Sequence, residues 1–92
     1  MTAQHPPPSD VSAVICTKNS IASIQMCLQS LKDSGVGEII VVDALSTDGT
    51  RAIAASDADL VLEDHGTGLG QARNIGIAAS SNDFILNMGS DN

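Results

Sequence analysis

From residue 11 onward, unbroken apolar runs alternate with segments in which apolar residues recur every three or four positions. Residues 11–17 (VSAVICT) are apolar and rich in β-branched side chains, the pattern of a strand buried on both faces. In residues 20–35, Ile21, Ile24, Leu28 and Leu31 fall at helical spacing, with Asn19 or Ser20 as a cap and Gly35 as a stop. Residues 38–43 (EIIVVD) form a second buried-strand pattern. Ser46, Thr47 and Asp48 offer a cap for a short helix running through Ala55. Residues 59–64 (DLVLED) read as a weaker third strand at a sheet edge. Residues 69–80 are helical and rich in small side chains, and residues 83–88 (DFILNM) complete a fourth strand. Ala72, Gly76, Ala78 and Ala79 would let the third helix lie tight on the sheet. Residues 1–10 hold all three prolines and little that is apolar, and read as a flexible leader.

Alternating strands and helices predict an α/β fold, a doubly wound parallel sheet with right-handed crossovers. Continuous apolar strands fit a sheet covered on both faces. In such sheets, ligands sit beyond the carboxyl ends of the strands, where strand order reverses. The residues leaving the four strands are Thr17-Lys18-Asn19, Asp43-Ala44-Leu45-Ser46, Glu63-Asp64-His65-Gly66 and Gly89-Ser90-Asp91-Asn92. Three of these exits carry carboxylates, which together would form an acidic rim suited to a hydrated cation and a sugar.

Charge narrows the ligand class. With 11 acidic against 4 basic residues and a net charge of -7, the chain has no basic footprint for nucleic acid. Its single aromatic residue, Phe84, rules out a stacking platform for single strands. An anionic ligand would therefore need a divalent cation between it and the protein. Cys16 and Cys27 fit no metal or redox spacing and read as small buried apolar groups in a reducing compartment, the cytoplasm. The amino-terminal residues show no signal-peptide pattern, and no apolar run approaches the length of a membrane span. The glycine-rich 65–70 segment follows the third strand and does not match a dinucleotide fingerprint. It reads as a turn, with His65 an exposed loop histidine.

Three motifs in order complete the picture. VSAVICTKNS, EIIVVDALSTDGT and GLGQARNIGIAASSNDFILNMGSDN resemble the successive signatures of family 2 glycosyltransferases of the GT-A (nucleotide-diphospho-sugar transferase) fold. The last of them ends at a D-x-D-like metal motif. The resemblance covers residues 11–92, read as the nucleotide-sugar-binding half of a GT-A domain that stops after that motif. It implies transfer of a sugar from a UDP- or GDP-linked donor with Mg2+ or Mn2+. Thr17, Lys18 and Asn19 would border the nucleotide, Asp43 would accept hydrogen bonds from base or ribose, and Arg73 and Asn74 would shape the pocket. Asp91 would be the metal-binding carboxylate. No catalytic base or acceptor site falls within these residues, so the chain alone is expected to lack transferase activity. The uncovered edge of its fourth strand invites self-association.

The sequence departs from the family pattern at four places. Lys18 replaces a tyrosine, Ala44 an aspartate, Leu45 a glycine, and Gly89 the first aspartate of D-x-D. These replacements keep open a second reading, a non-catalytic nucleotide-binding or regulatory domain of the same fold. A phosphate-accepting receiver is the third and weakest, because it needs paired acids after the first strand and Thr17-Lys18-Asn19 stand there. Arg73 has its own structural alternative, an ion pair with Asp64 or Asp83. Neither the sugar nor the acceptor is written in these residues.

Overall fold

The structure, a computed structural model, describes residues 7–64, 69–82 and 84–89. Among these residues, four parallel strands alternate with three α-helices: β1 (Val11–Thr17), α1 (Ile21–Ser34), β2 (Glu38–Asp43), α2 (Thr50–Asp57), β3 (Leu60–Glu63), α3 (Leu69–Ala79) and β4 (Phe84–Gly89). The sheet order is β3-β2-β1-β4, with every pair parallel. The chain thus steps outward from β1 through β2 to β3, then returns to place β4 on the other side of β1. Strand order reverses at β1, the doubly wound arrangement expected from the alternating pattern.

The two faces of the sheet carry two cores, as the period-two alternation of a strand requires. Ala13 and Ile15 of β1 with Ile39 and Val41 of β2 face Ile24, Leu28 and Leu31 of α1 and Ala54 of α2. Val14, Ile40 and Val42 point the other way, towards Ala72 of α3, with Cys16, Ile75 and Ala79 partly buried around them. Each fully buried Ile or Leu adds about 1.5–3 kcal/mol of transfer free energy. The central strands therefore anchor everything attached to their ends.

Small residues set the distance between α3 and the sheet. A Cβ on Gly76 would lie 2.3 Å from Val14 Cγ1 and 3.2 Å from Val42 Cγ2. At the amino end of the sheet, the Glu38 carboxylate accepts from the Ser12 hydroxyl (2.8 Å), the Ser81 amide (2.9 Å) and the Ser81 hydroxyl (3.2 Å). Asn82 Nδ2 donates to Ser12 Oγ at 3.1 Å, so this cluster ties the turn before β4 to β1 and β2. Residues Pro8–Asp10 form a single 3-10 turn whose Ser9 backbone sits against Gly37.

Most element boundaries fall within one or two residues of the sequence expectation. β3 is shorter than expected and lies at an edge. β4 is the other edge of the described sheet. Its Phe84 and Leu86 are exposed, and both pair in register with the β1 residues Val11 and Ala13. Helix capping differs from expectation. Ser20 occupies the N-cap of α1 without a side-chain cap bond, and the cap comes instead from a distant turn described below. Among the described residues, no helix is long and apolar enough to cross a membrane.

Candidate functional site at the carboxyl ends of the strands

In-register pairing brings two of the expected site residues, Thr17 and Asp43, side by side at one end of the sheet. Thr17 pairs with Asp43, Asp43 with Glu63, and Cys16 with both Val42 and Gly89. Thr17 and Asp43 are buried, at 5% and 0% exposure, whereas Lys18 and Asn19 just beyond them are exposed. The two strand ends are joined directly by a bond from the Ala44 amide to the Thr17 carbonyl at 2.9 Å.

Both strands then enter turns in which a non-glycine residue takes the left-handed conformation: Asn19 with φ 48° and Leu45 with φ 56°. That region costs an L-residue about 1–2 kcal/mol, less for Asn because its side chain can bond locally. The second turn is closed by Asp43. Its Oδ2 accepts from the Ser46 amide at 3.0 Å and its Oδ1 from the Ser46 hydroxyl at 2.5 Å.

The two turns are also cross-braced. The Asn19 amide donates to Ser46 Oγ (2.8 Å), and the Thr47 amide donates to Asn19 Oδ1 (2.8 Å). The Ser20 amide donates to Thr50 Oγ1 at 2.8 Å, and the Ile21 amide to Asp48 Oδ2 at 3.1 Å. The Thr50 hydroxyl and amide in turn donate to Asp48 Oδ1. Asp48 therefore caps α1 from another loop while serving the start of α2, the helix it was expected to cap. The Thr50 hydroxyl, followed by backbone amides, holds the Asp48 carboxyl below its ordinary value. Two amides at the start of α1 are thus already engaged and are not presented to a phosphate.

The carboxylates at the strand exits do not form the open acidic rim expected from sequence. Asp43 is buried and bonded through both oxygens to Ser46. Glu63 is ion-paired with Arg51 of α2, and Asp64 is buried, with its amide bonded to the Asp43 carbonyl. The physical reason is local. Ser46 holds the Asp43 carboxylate in turn geometry, and the Arg51 guanidinium holds that of Glu63. Among the described residues, no three His, Cys, Asp or Glu side chains are grouped to hold a metal. Asp91, the expected metal ligand, lies outside the described residues, as does Asp83.

Basic side chains divide into two pairs. Lys32 bonds Asp57 at 3.1 Å and Arg51 bonds Glu63, both partly exposed and worth little individually. Lys18 is at the β1 exit and Arg73 on α3, and both are exposed, as is Asn74. Burial pushes the Cys16 thiol up, the Arg73 charge lowers it, and the Asp64 charge raises it. Sequence reasoning expected Ser46 and Asp48 only as caps for α2 and missed their bonds to Asp43 and to the α1 turn, as well as the part played by Thr50. The run of short polar residues after Asp43 was the available signal.

With this geometry established, comparison with known proteins is informative. Residues 12–92 match the family described as glycosyl transferase family 2, and the chain belongs to that family. It is 38% identical over 88 residues to the succinoglycan biosynthesis protein ExoO of Rhizobium meliloti, covering 89% of this chain and 25% of that protein. The fold is similar to mannosyl-3-phosphoglycerate synthase from Rubrobacter xylanophilus, with a TM-score of 0.80 and 26% identity over 88% of this chain and 30% of that one. It is also similar to glucosyl-3-phosphoglycerate synthase from Mycobacterium tuberculosis, solved in complex with Mn2+, UDP and phosphoglyceric acid. There the TM-score is 0.74 and identity 30%, covering 87% of this chain and 32% of that one. The chain spans between 21% and 28% of the length of three curated relatives. This is a GT-A glycosyltransferase fold.

Proposed function

We propose that these residues form the donor-binding part of a family 2 glycosyltransferase, which takes a UDP- or GDP-linked sugar together with Mg2+ or Mn2+. The observation that carries this reading is the pair of cross-braced turns after β1 and β2, beside the point where strand order reverses. This is where open α/β sheets receive their ligands. Thr17 and Asp43 form the floor between the strand ends. Lys18, on the exposed turn, is suited to meet a phosphate or cover one edge of the base. Arg73 and Asn74 approach from α3, and Arg73 adds positive charge where a diphosphate would lie. Because both Asp43 oxygens already accept from Ser46, Asp43 would contact a nucleoside only through its remaining lone pairs.

By family resemblance, Asp91 would hold the cation, two residues after the end of β4. A hard cation there prefers oxygen ligands and would act as a Lewis acid, neutralising charge on the departing nucleoside diphosphate. Engagement of Asp43 by Ser46 and of Glu63 by Arg51 supports a second reading, a nucleotide-binding domain that needs no metal.

Amide chemical-shift mapping with UDP and with GDP, each with Mg2+, tests the location. Shifts should concentrate in residues 17–19, 43–46 and 73–74 and fade when Mg2+ is withheld. Equal shifts without Mg2+ would favour the metal-free reading. Shifts confined to the amino end of the sheet would refute both.

A further inference from the structure

Two left-handed non-glycine residues, Asn19 and Leu45, occupy neighbouring turns and are held by bonds that run between the turns. Ser46 is the shared element. Its hydroxyl has one proton and two acceptor sites. The proton goes to Asp43 Oδ1, closing its own turn, and the oxygen accepts the Asn19 amide from the other turn. Asn19 answers with its side chain, whose Oδ1 accepts the Thr47 amide. Removing the hydroxyl would therefore open one bond in each turn. Strained backbone persists only where surrounding structure fixes it, and such positions cluster at ligand sites.

We propose that Ser46 is a positioning residue, whose hydroxyl couples the turns after β1 and β2 into one preorganised wall of the ligand site. This inference rests on the nucleotide-binding reading and adds a specific dependence to it. Affinity for a nucleoside diphosphate should depend on Ser46 without Ser46 touching the ligand. Preorganisation raises affinity because ordering is completed before binding.

The test combines amide hydrogen exchange of the free chain with titration by UDP and GDP in Mn2+, for the wild type, Ser46→Ala and Ser46→Thr. In Ser46→Ala, the Asn19 amide loses its acceptor directly. Coupling predicts that Thr47, Ser20 and Ile21 also lose protection, by about tenfold, although their own acceptors remain. Protection at Ile15 and Val41 in the core should stay unchanged, which checks that the variant is folded. Dissociation constants should rise about tenfold in Ser46→Ala and return towards wild type in Ser46→Thr, which restores the hydroxyl.

Loss confined to Asn19 and Ser46 would overturn the coupling. A wild type that binds while Ser46→Ala binds equally well would overturn the positioning role alone. A wild type that binds neither nucleotide would overturn the nucleotide reading, and with it this role. If Ser46→Ala unfolds, Asn19→Ala opens the other bond between the turns by removing Oδ1, the acceptor of the Thr47 amide. It should then free the Ser46 amide, and unchanged protection there would overturn the coupling.

Discussion

Replacing Gly76 by alanine tests how closely α3 lies on the sheet. The added Cβ would sit 2.3 Å from Val14 Cγ1, 3.3 Å from Val14 Cβ and 3.2 Å from Val42 Cγ2. Carbon atoms in contact prefer separations of about 3.5–4.0 Å, so the first distance is short by more than ~1 Å. Val14 and Val42 are buried at 0% and 1% exposure, and a β-branched side chain has few rotamers into which it can retreat. Overpacking of this kind costs about 1–3 kcal/mol, while alanine recovers about 1 kcal/mol of helix propensity over glycine. With the shortest contact so severe, the net expected loss is about 1–2 kcal/mol. For a domain of this size that lowers Tm by about 4–16 °C. The assay is thermal and urea unfolding of Gly76→Ala, Val14→Ala and the double variant. In the Val14→Ala background the 2.3 Å contact disappears and only the milder ones remain, so Gly76→Ala should then cost little or nothing, giving a coupling of about 1–3 kcal/mol. A Gly76→Ala variant more stable than wild type would refute the close approach, because only the propensity gain would then be operating.

Leu45→Gly should stabilise by about 1 kcal/mol, since glycine relieves the left-handed strain and returns only part of it as chain entropy. Leu45→Val should destabilise by at least that much, and a urea midpoint that falls for glycine would contradict the strain. Glu38 gives a pH signature. The Ser81 amide, with help from the Ser12 and Ser81 hydroxyls, holds its carboxyl below the ordinary value of 4.5. The unfolded chain therefore binds the proton first, so this stabilisation is full above 4.5 and disappears as pH falls through the lower folded value. Glu38→Gln should flatten unfolding free energy against pH in that acidic window while leaving neutral-pH nucleotide binding unchanged.

Much of the fold was legible because apolar continuity along a strand reports burial on both faces. The runs around Ile15 and Val41 and the helical spacing of Ile24, Leu28 and Leu31 each pointed to a single solution. The small residues of α3 likewise announced a close approach, which Gly76 makes. The position of β3 at an edge followed from its weaker pattern. The site was legible only in outline. Thr17, Lys18, Asn19 and Asp43 could be placed at the carboxyl end of the sheet, because they end or follow β1 and β2, and Arg73 and Asn74 could be placed on α3. Their partners could not be read, because Ser46, Asp48 and Thr50 bond across turns 27 to 30 residues apart in sequence. No periodicity encodes such contacts. Asp43 is instructive: as a lone acid after four apolar residues it reads as a ligand contact, yet its first task is to close the turn that Leu45 strains.

The central claim is that the carboxyl end of this sheet binds a nucleoside diphosphate with a divalent cation. Calorimetric titration of the chain with UDP and with GDP, with and without Mn2+, and in parallel with Asp91→Ala, tests it most directly. The account predicts Mn2+-dependent binding of one nucleotide, abolished or greatly weakened in Asp91→Ala. Absence of binding to either nucleotide by the folded wild-type chain in saturating Mn2+ would contradict it.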